Sequence, residues 1–540
     1  MNDARFGEIH EVDERQLQLL MKDWRRGRAT RNIWQALSDA YIAVFAVVVV
    51  GAMLIGAVVQ AQSTIATCET ASCLAGRALL PWAALAGALA FALATSLMFG
   101  PVLASAAEGF WLMEAPIGRR RLLAKRLWLA IGAALVLGVG FGALVSALTG
   151  SDSGAVGAWA LGTGFGAAGL VAVAAVEQTA ERRWVLVSLQ WVVGLSGLVA
   201  LGVVVGTAAG WFYLPGLDLL GVELALGVGG FGLALGIAAG IVAYLRLDRI
   251  RRQRLTSGGS LLSGMQGAMF ALDFALVRDI LVERNARIRG HVRPTRGAGQ
   301  GTRALILRDV QRLVRYPRPL LFWVASMAVP YAFASLGLQT INPLLSGVVL
   351  MAALIPFLTS LRVLCRTKGL ARCLPYGNGA LRQAAMTVPA ALALVWGLAV
   401  MPAFTGFGQA EAADPFPGIS SALLTAVAGL LAAVRWVAAQ PANYSGPIVA
   451  VGVGAVPPGL MFSVLRGFDI VILVTLPLLI GWTPLVSLGV AVVAFSVLRS
   501  GFDQQALMDE NEERKRQLEL ARAGASGGKP RQKIKVTRGA

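Results

Sequence analysis

The sequence predicts an all-α polytopic membrane protein, with about twelve transmembrane helices in two parallel six-helix repeats and amphipathic connecting helices. Three observations carry this. Of the 540 residues, 56% are hydrophobic and only 14% charged, against roughly 25% charged in soluble domains. Charge-poor stretches of roughly 20 residues, the length a helix needs to cross hydrocarbon, recur along the chain. A basic amphipathic segment followed by about six such stretches occurs twice, and each time a short, Pro-containing, arginine-bearing loop joins the second stretch to the third.

The spans fall at about 40–60, 79–103, 127–149, 155–176, 185–208 and 224–245 in the first half. In the second they fall at about 319–338, 343–361, 383–404, 418–434, 446–465 and 470–498. Charged residues scattered through positions 1–31 leave no cleavable leader, so the first span reads as an uncleaved anchor. Six spans per half is an even number, so both halves enter from one side and the repeats run parallel about an axis along the membrane normal. The chain divides into a first six-span half (1–245), a basic linker (246–302), a second six-span half (303–498) and a charged tail (499–540) whose Gly- and Lys-rich end reads as disordered.

Charge sets the orientation. A net charge of +19 would point to nucleic acid in a soluble protein, but here its distribution points to topology. Arg25, Arg26, Arg28 and Arg31 precede span 1, and sixteen arginines lie from Arg246 to Arg318. Arg362, Arg366, Lys368, Arg372 and Arg382 sit between spans 8 and 9. The opposite loops hold only Arg77 and Arg466, beside acids such as Glu69, Asp152, Asp218, Glu411 and Asp414. By the positive-inside rule both termini and the linker are cytoplasmic, and the 61–78 and 405–417 loops face outward. Abundant Ala, Gly, Val and Arg with few Lys points to a high-GC bacterium and its plasma membrane.

Before span 1, Leu17, Leu20, Met21 and Trp24 share one helical face. Before span 7, Ile306, Val310, Leu313 and Val314 form an apolar stripe with Arg308, Asp309, Arg312 and Arg315 largely opposite. Both read as helices lying flat in the interface. The linker adds a stretch with Leu262, Met265, Met269, Leu272, Leu276 and Ile280 on one face. Cys68 and Cys73 share an outer loop, where a local disulfide and two free thiols are both open readings. Cys365 and Cys373 face the reducing side, and two histidines, His10 and His291, rule against a His-based metal site.

Gly162-Thr-Gly164-Phe-Gly166-Ala-Ala-Gly169 has the spacing of a dinucleotide loop but lies inside a span with no preceding strand, so it reads as packing. Gly232, Gly236 and Gly240 form a small-residue row that fits close helix approach. Pro457-Pro458 interrupts span 11, open to reading as a kink or as part of a substrate path. Nothing resembles a catalytic triad or paired-carboxylate site, and no GxxxxGK[ST] loop occurs. The chain is therefore expected to catalyse nothing itself and to bind neither cofactor, metal nor nucleic acid.

The two loops read Glu108-Gly-Phe-Trp-Leu-Met-Glu-Ala-Pro-Ile-Gly-Arg-Arg-Arg121 and Lys368-Gly-Leu-Ala-Arg-Cys-Leu-Pro-Tyr-Gly-Asn-Gly-Ala-Leu-Arg382. With a one-residue gap Gly109 pairs with Gly369, Pro116 with Pro375, Gly118 with Gly377 and Leu122 with Leu381. In topology the chain resembles the ABC-2-type (type V) exporter permeases, whose connecting helix precedes the first span and whose coupling helix lies between spans two and three. Trp111 to Leu123, Asn443 to Pro447 and Ala455 to Leu460 also resemble a group of poorly characterised actinobacterial multi-pass proteins. The chain departs from many such exporters in fusing both halves, and it has no large extracellular domain.

The resemblance implies a permease subunit moving a hydrophobic or amphipathic substrate (peptide, lipid or antibiotic-like), driven by a separate ABC ATPase, in two copies, that carries ATP and Mg. The implied docking residues are Glu108, Phe110, Trp111, Met113, Pro116, Arg119, Arg120 and Arg121, with Leu370, Arg372, Leu374, Pro375 and Tyr376 in the second copy. Apolar anchors would fill a cleft on the ATPase, and the arginines would meet headgroups or acidic partner residues. The alternatives are a membrane scaffold or assembly subunit, and a secondary carrier or flippase.

Overall fold

The computed structural model describes residues 71–111, 118–208, 217–270, 273–291, 296–335, 338–406, 415–439 and 465–500, with isolated positions between 19 and 59, residue 211, and short pieces at 449–451, 454–456 and 517–519. Among the described residues eight helices are long and apolar enough to cross a bilayer. The chain is an all-α polytopic membrane protein.

Five of the eight lie in the first half: α1 (Ala71–Phe99), α3 (Arg119–Leu148), α4 (Ser153–Ala180), α5 (Trp184–Ala208) and α6 (Leu217–Leu245). The short α2 (Ala106–Trp111) sits in the loop after α1. The most enclosed helix is α4, started by Asp152, whose carboxylate accepts from Gly154 N at 3.0 Å and Ala155 N at 3.2 Å. Its glycines explain its burial. A Cβ on Gly162 would lie 2.5 Å from Ala225 O of α6, one on Gly169 would lie 2.6 Å from Gly232 O, and one on Gly164 would meet Val139 of α3. The motif with dinucleotide-like spacing is a helix-packing device that lets backbones touch where lipid supplies no hydrophobic drive between helices. Gly232 belongs to the small-residue row of α6 and packs against Phe165.

Two linker helices follow, α7 (Arg252–Phe270) and α8 (Phe274–Arg289), then α9 (Thr302–Arg315). In the second half come α10 (Arg318–Ser326) and α11 (Ala328–Ser335). The span Asn342–Arg366 is α12 (Asn342–Leu354), a 3-10 turn at Ile355–Leu358 where Pro356 interrupts the hydrogen-bond ladder, and α13 (Thr359–Arg366). The second loop holds α14 (Lys368–Arg372). The bundle closes with α15 (Asn378–Thr405), α16 (Pro415–Ala438), α17 (Phe468–Leu479) and α18 (Pro484–Ser500).

Neighbour relations repeat between the halves. In the first, α4 packs on α3 and α6, and α1 on α5. In the second, α16 packs on α15 and α18, and α12 on α17. Between halves, α11 meets α1 and α5, with Ala332 against the cluster of Leu79, Leu80, Ala83 and Val204.

Four expectations are corrected. The stretch 470–498 is two helices, α17 and α18, reversed by Gly481 at φ +79° and restarted by Pro484, the glycine-stop and proline-start pair. Within 446–465 the described pieces are two three-residue antiparallel strands, Val449–Val451 and Gly454–Val456, rather than a helix. Arg466 then lies among Arg435, Asp469 and the linker residue Asp273, at the arginine-rich end rather than opposite it. Gly467, at φ +89°, makes that turn against Met351 and Ala432. Finally Arg77 is not a loop residue but a buried member of α1.

Candidate coupling site at the arginine-rich end

The first loop is fastened at four points. Ser105 and Glu108 form a capping box at the start of α2: Ser105 N and Oγ donate to Glu108 Oε2 at 3.0 and 2.9 Å, and Glu108 N donates to Ser105 Oγ at 3.2 Å. Arg126 of α3 donates to Glu108 Oε1 and to Leu103 O, each at 2.5 Å. The Arg126 guanidinium, helped by the Ser105 donors, holds the Glu108 carboxyl down at about 2 against the opposing effect of partial burial.

Third, Gln178 near the end of α4 grips the backbone of Val102. The Val102 N–H donates to its Oε1 at 3.1 Å and its Nε2 donates to Val102 O at 3.0 Å. Val102 is fully buried with Leu123, Leu127, Leu247, Ile250 and Leu255. Fourth, α7 lies directly across the loop, and Ala104 N donates to Leu255 O at 3.2 Å. Gly258 and Gly259 make the crossing possible, since a Cβ on either would collide with the carbonyl oxygens of Phe99 and Ala104. Only glycine lets a helix approach another backbone this closely.

The linker helix was legible as a helix, but its inward face was not. Leu255, Leu261 and Ala268 are buried, whereas Met269 and Leu276, from the expected apolar face, are exposed. The stretch also divides, because Asp273 caps a second helix by accepting from Leu276 N at 3.1 Å. That helix, α8, reaches the other half. Arg278 donates to Ile355 O at 2.9 Å, at the break in the α12–α13 span, and lies 5.7 Å from the Trp436 ring. Asp279 pairs with Arg362 and, at 3.6 Å, with Arg366. The linker thus links the first loop to the second half through folded contacts.

Of the expected docking residues, Phe110 is exposed beneath Arg252, whose guanidinium lies 5.4 Å from its ring. Glu108 faces Arg126, so its role is to hold the loop. Arg119, Arg120 and Arg121 open α3 and are exposed, and Arg120 pairs with Asp248 after α6. Trp111 ends α2; Met113 and Pro116 lie outside the described residues. In the second loop Leu370 and Tyr376 are exposed, with Leu374 half-buried and Pro375 exposed. Arg372 closes α14, and Tyr376 sits beside Gly301 at the start of α9.

On α9 the stripe residues Val310 and Val314 face outward and Leu313 is half-buried, while Asp309 is buried inward, taking the Ser360 hydroxyl and Arg312. A helix with its apolar side outward and a carboxylate inward fits a position at the membrane surface. Leu17, Leu20 and Trp24 lie outside the described residues, as does the Cys68–Cys73 question; Cys365 and Cys373 are free thiols.

Residues 73–447 match the profile of DUF6297, a family of unknown function. The chain belongs to this family. No curated protein and no solved structure is detectably similar to it. For this DUF6297 member the matched region takes in both loops, the whole linker and all eight long apolar helices. It covers nearly all of the site just described, stopping short of the α17–α18 hairpin.

Proposed function

We propose that this DUF6297 member is the permease subunit of an ATP-driven, ABC-2-type exporter of the bacterial plasma membrane, with both termini cytoplasmic. It moves a hydrophobic or amphipathic substrate, and two copies of a separate ATPase subunit supply ATP and Mg. The observation that carries the reading is the first loop: a six-residue helix locked by Glu108, Arg126, Gln178 and α7, yet leaving Phe110 exposed. A preorganised short helix with an exposed aromatic is what an ATPase cleft needs, because rigidity lowers the ordering cost of docking. The linker contacts to both halves give a path from that loop into the bundle.

The test is co-expression with the candidate ATPase. Replacing Phe110, Trp111 and Met113 by Ala should abolish co-purification and stimulated ATP hydrolysis while leaving insertion intact, each anchor being worth roughly 1–3 kcal/mol. If no ATPase co-purifies with the chain, or if the triple variant changes nothing while the complex still forms, the scaffold reading would replace the exporter one.

A further inference from the structure

Between the ends of α1 and α4 and the linker helices lies a small niche of about 60 Å³. At roughly 10–15 Å³ per water-sized position, it has room for a five-atom tetrahedral anion. Four arginines from three separate segments line it: Arg182 and Arg183 in the α4–α5 turn, Arg254 on α7 and Arg284 on α8. Arg254 is fixed, donating to Glu181 O at 3.0 Å and Gln178 O at 3.4 Å. No carboxylate lines the niche among the described residues, and Glu181, next to the lining Arg182, pairs with Arg251 at 2.5 Å.

Arginines gathered around a lining that holds no carboxylate repel, and the cost grows as they lose water. Burial and the neighbouring Arg183 push Arg254 and Arg284 below the usual guanidinium range, and for Arg254 they outweigh the opposing pull of Glu181. A bound anion would relieve this. Its depth in the membrane is marked by Trp184, exposed at 66% immediately after Arg183, the position an indole takes at the headgroup level.

We infer that this niche binds a phosphate group, and that the phosphate belongs to an anionic lipid headgroup. Arg183 sits in the first half, while Arg254 and Arg284 sit on the two linker helices. A bound headgroup therefore clamps the linker to the bundle. The inference does not rest on the exporter reading and is tested without any ATPase.

Purified full-length protein in detergent is titrated with phosphatidylglycerol, with diacylglycerol lacking the headgroup, or with inorganic phosphate at equal ionic strength. Native mass spectrometry reads bound adducts and thermal unfolding reads stabilisation. Phosphatidylglycerol should bind and raise the unfolding midpoint; diacylglycerol should not. Arg183→Gln with Arg284→Gln, neither making a side-chain hydrogen bond the fold needs, should weaken it about tenfold or more. The Lys pair should restore part of the affinity. Arg303→Gln with Arg308→Gln, basic positions on α9, should leave it within about twofold. Equal binding by the Gln pair, or equal binding of diacylglycerol, would overturn the site. Inorganic phosphate competing at millimolar concentration would overturn the lipid assignment.

Discussion

Glu108 and Arg126, eighteen residues apart, join the loop helix to the start of the third span, and the same guanidinium reaches Leu103 O. The second copy cannot build this link. Extending the Gly109–Gly369 and Leu122–Leu381 pairing places Lys368 where Glu108 stands and Ala385 where Arg126 stands. The two loops share a plan, but only the first carries this ionic fastening.

Removing the fastening should loosen the first loop alone. Glu108→Gln should cost about 1–2 kcal/mol, the worth of hydrogen bonds to a charged group at a partly exposed site. Hydrogen exchange should quicken at 103–111 and stay unchanged at 367–377. The sign in pH follows from the depressed carboxyl. Its contribution is complete above the ordinary value of 4.5 and fades as pH falls towards about 2. Loop exchange should therefore not depend on Glu108 ionisation between pH 6 and 8. A Glu108-dependent transition near neutrality would contradict the arrangement.

Asp309 should behave in the opposite sense. Burial raises its carboxyl, outweighing the Ser360 hydroxyl and Arg312 that favour the charged form. A raised folded value means that the charged form costs stability as pH climbs above the ordinary 3.8. Asp309→Asn, which keeps an acceptor for Ser360, should unfold at the same or a slightly higher temperature at pH 7. A loss above about 2 kcal/mol would show that the charge itself is needed.

Gly258→Ala should destabilise by about 1–3 kcal/mol or more, since a methyl there meets Phe99 O, part of the backbone and unable to swing aside. Gly267→Ala, with nothing within 4 Å of its added methyl, should be neutral or gain up to about 1 kcal/mol from helix propensity. Thermal melts of the pair separate packing from propensity. Equal melts would mean that α7 does not cross α1 at Gly258.

Topology is testable at the last hairpin. In a cysteine-free background, Trp482→Cys at the α17–α18 turn should react with an impermeant reagent from outside intact cells. Arg466→Cys and Gly290→Cys should not. Outside labelling at 466 with protection at 482 would restore a spanning helix over 446–465.

Class and charge asymmetry were legible because each is additive along the chain. Apolar length decides whether a helix spans, and clustered arginines mark one end whatever the packing. The α17–α18 reversal was missed: its signals, Gly481 and Pro484, lie inside one continuous apolar run that reads as a single span. Sequence alone could not find the inward face of α7. That face is set by Gly258 and Gly259 fitting against two carbonyls, and glycine carries no hydrophobic signal. Nor could it pair Glu108 with Arg126, Gln178 with Val102, or the arginines of α4–α5 with those of α7 and α8. Those partners are brought together by helix ends converging at one face. Local composition marked the long apolar helices; tertiary packing decided that 446–465 and 470–498 do not form single spans, and which polar groups meet at the helix ends.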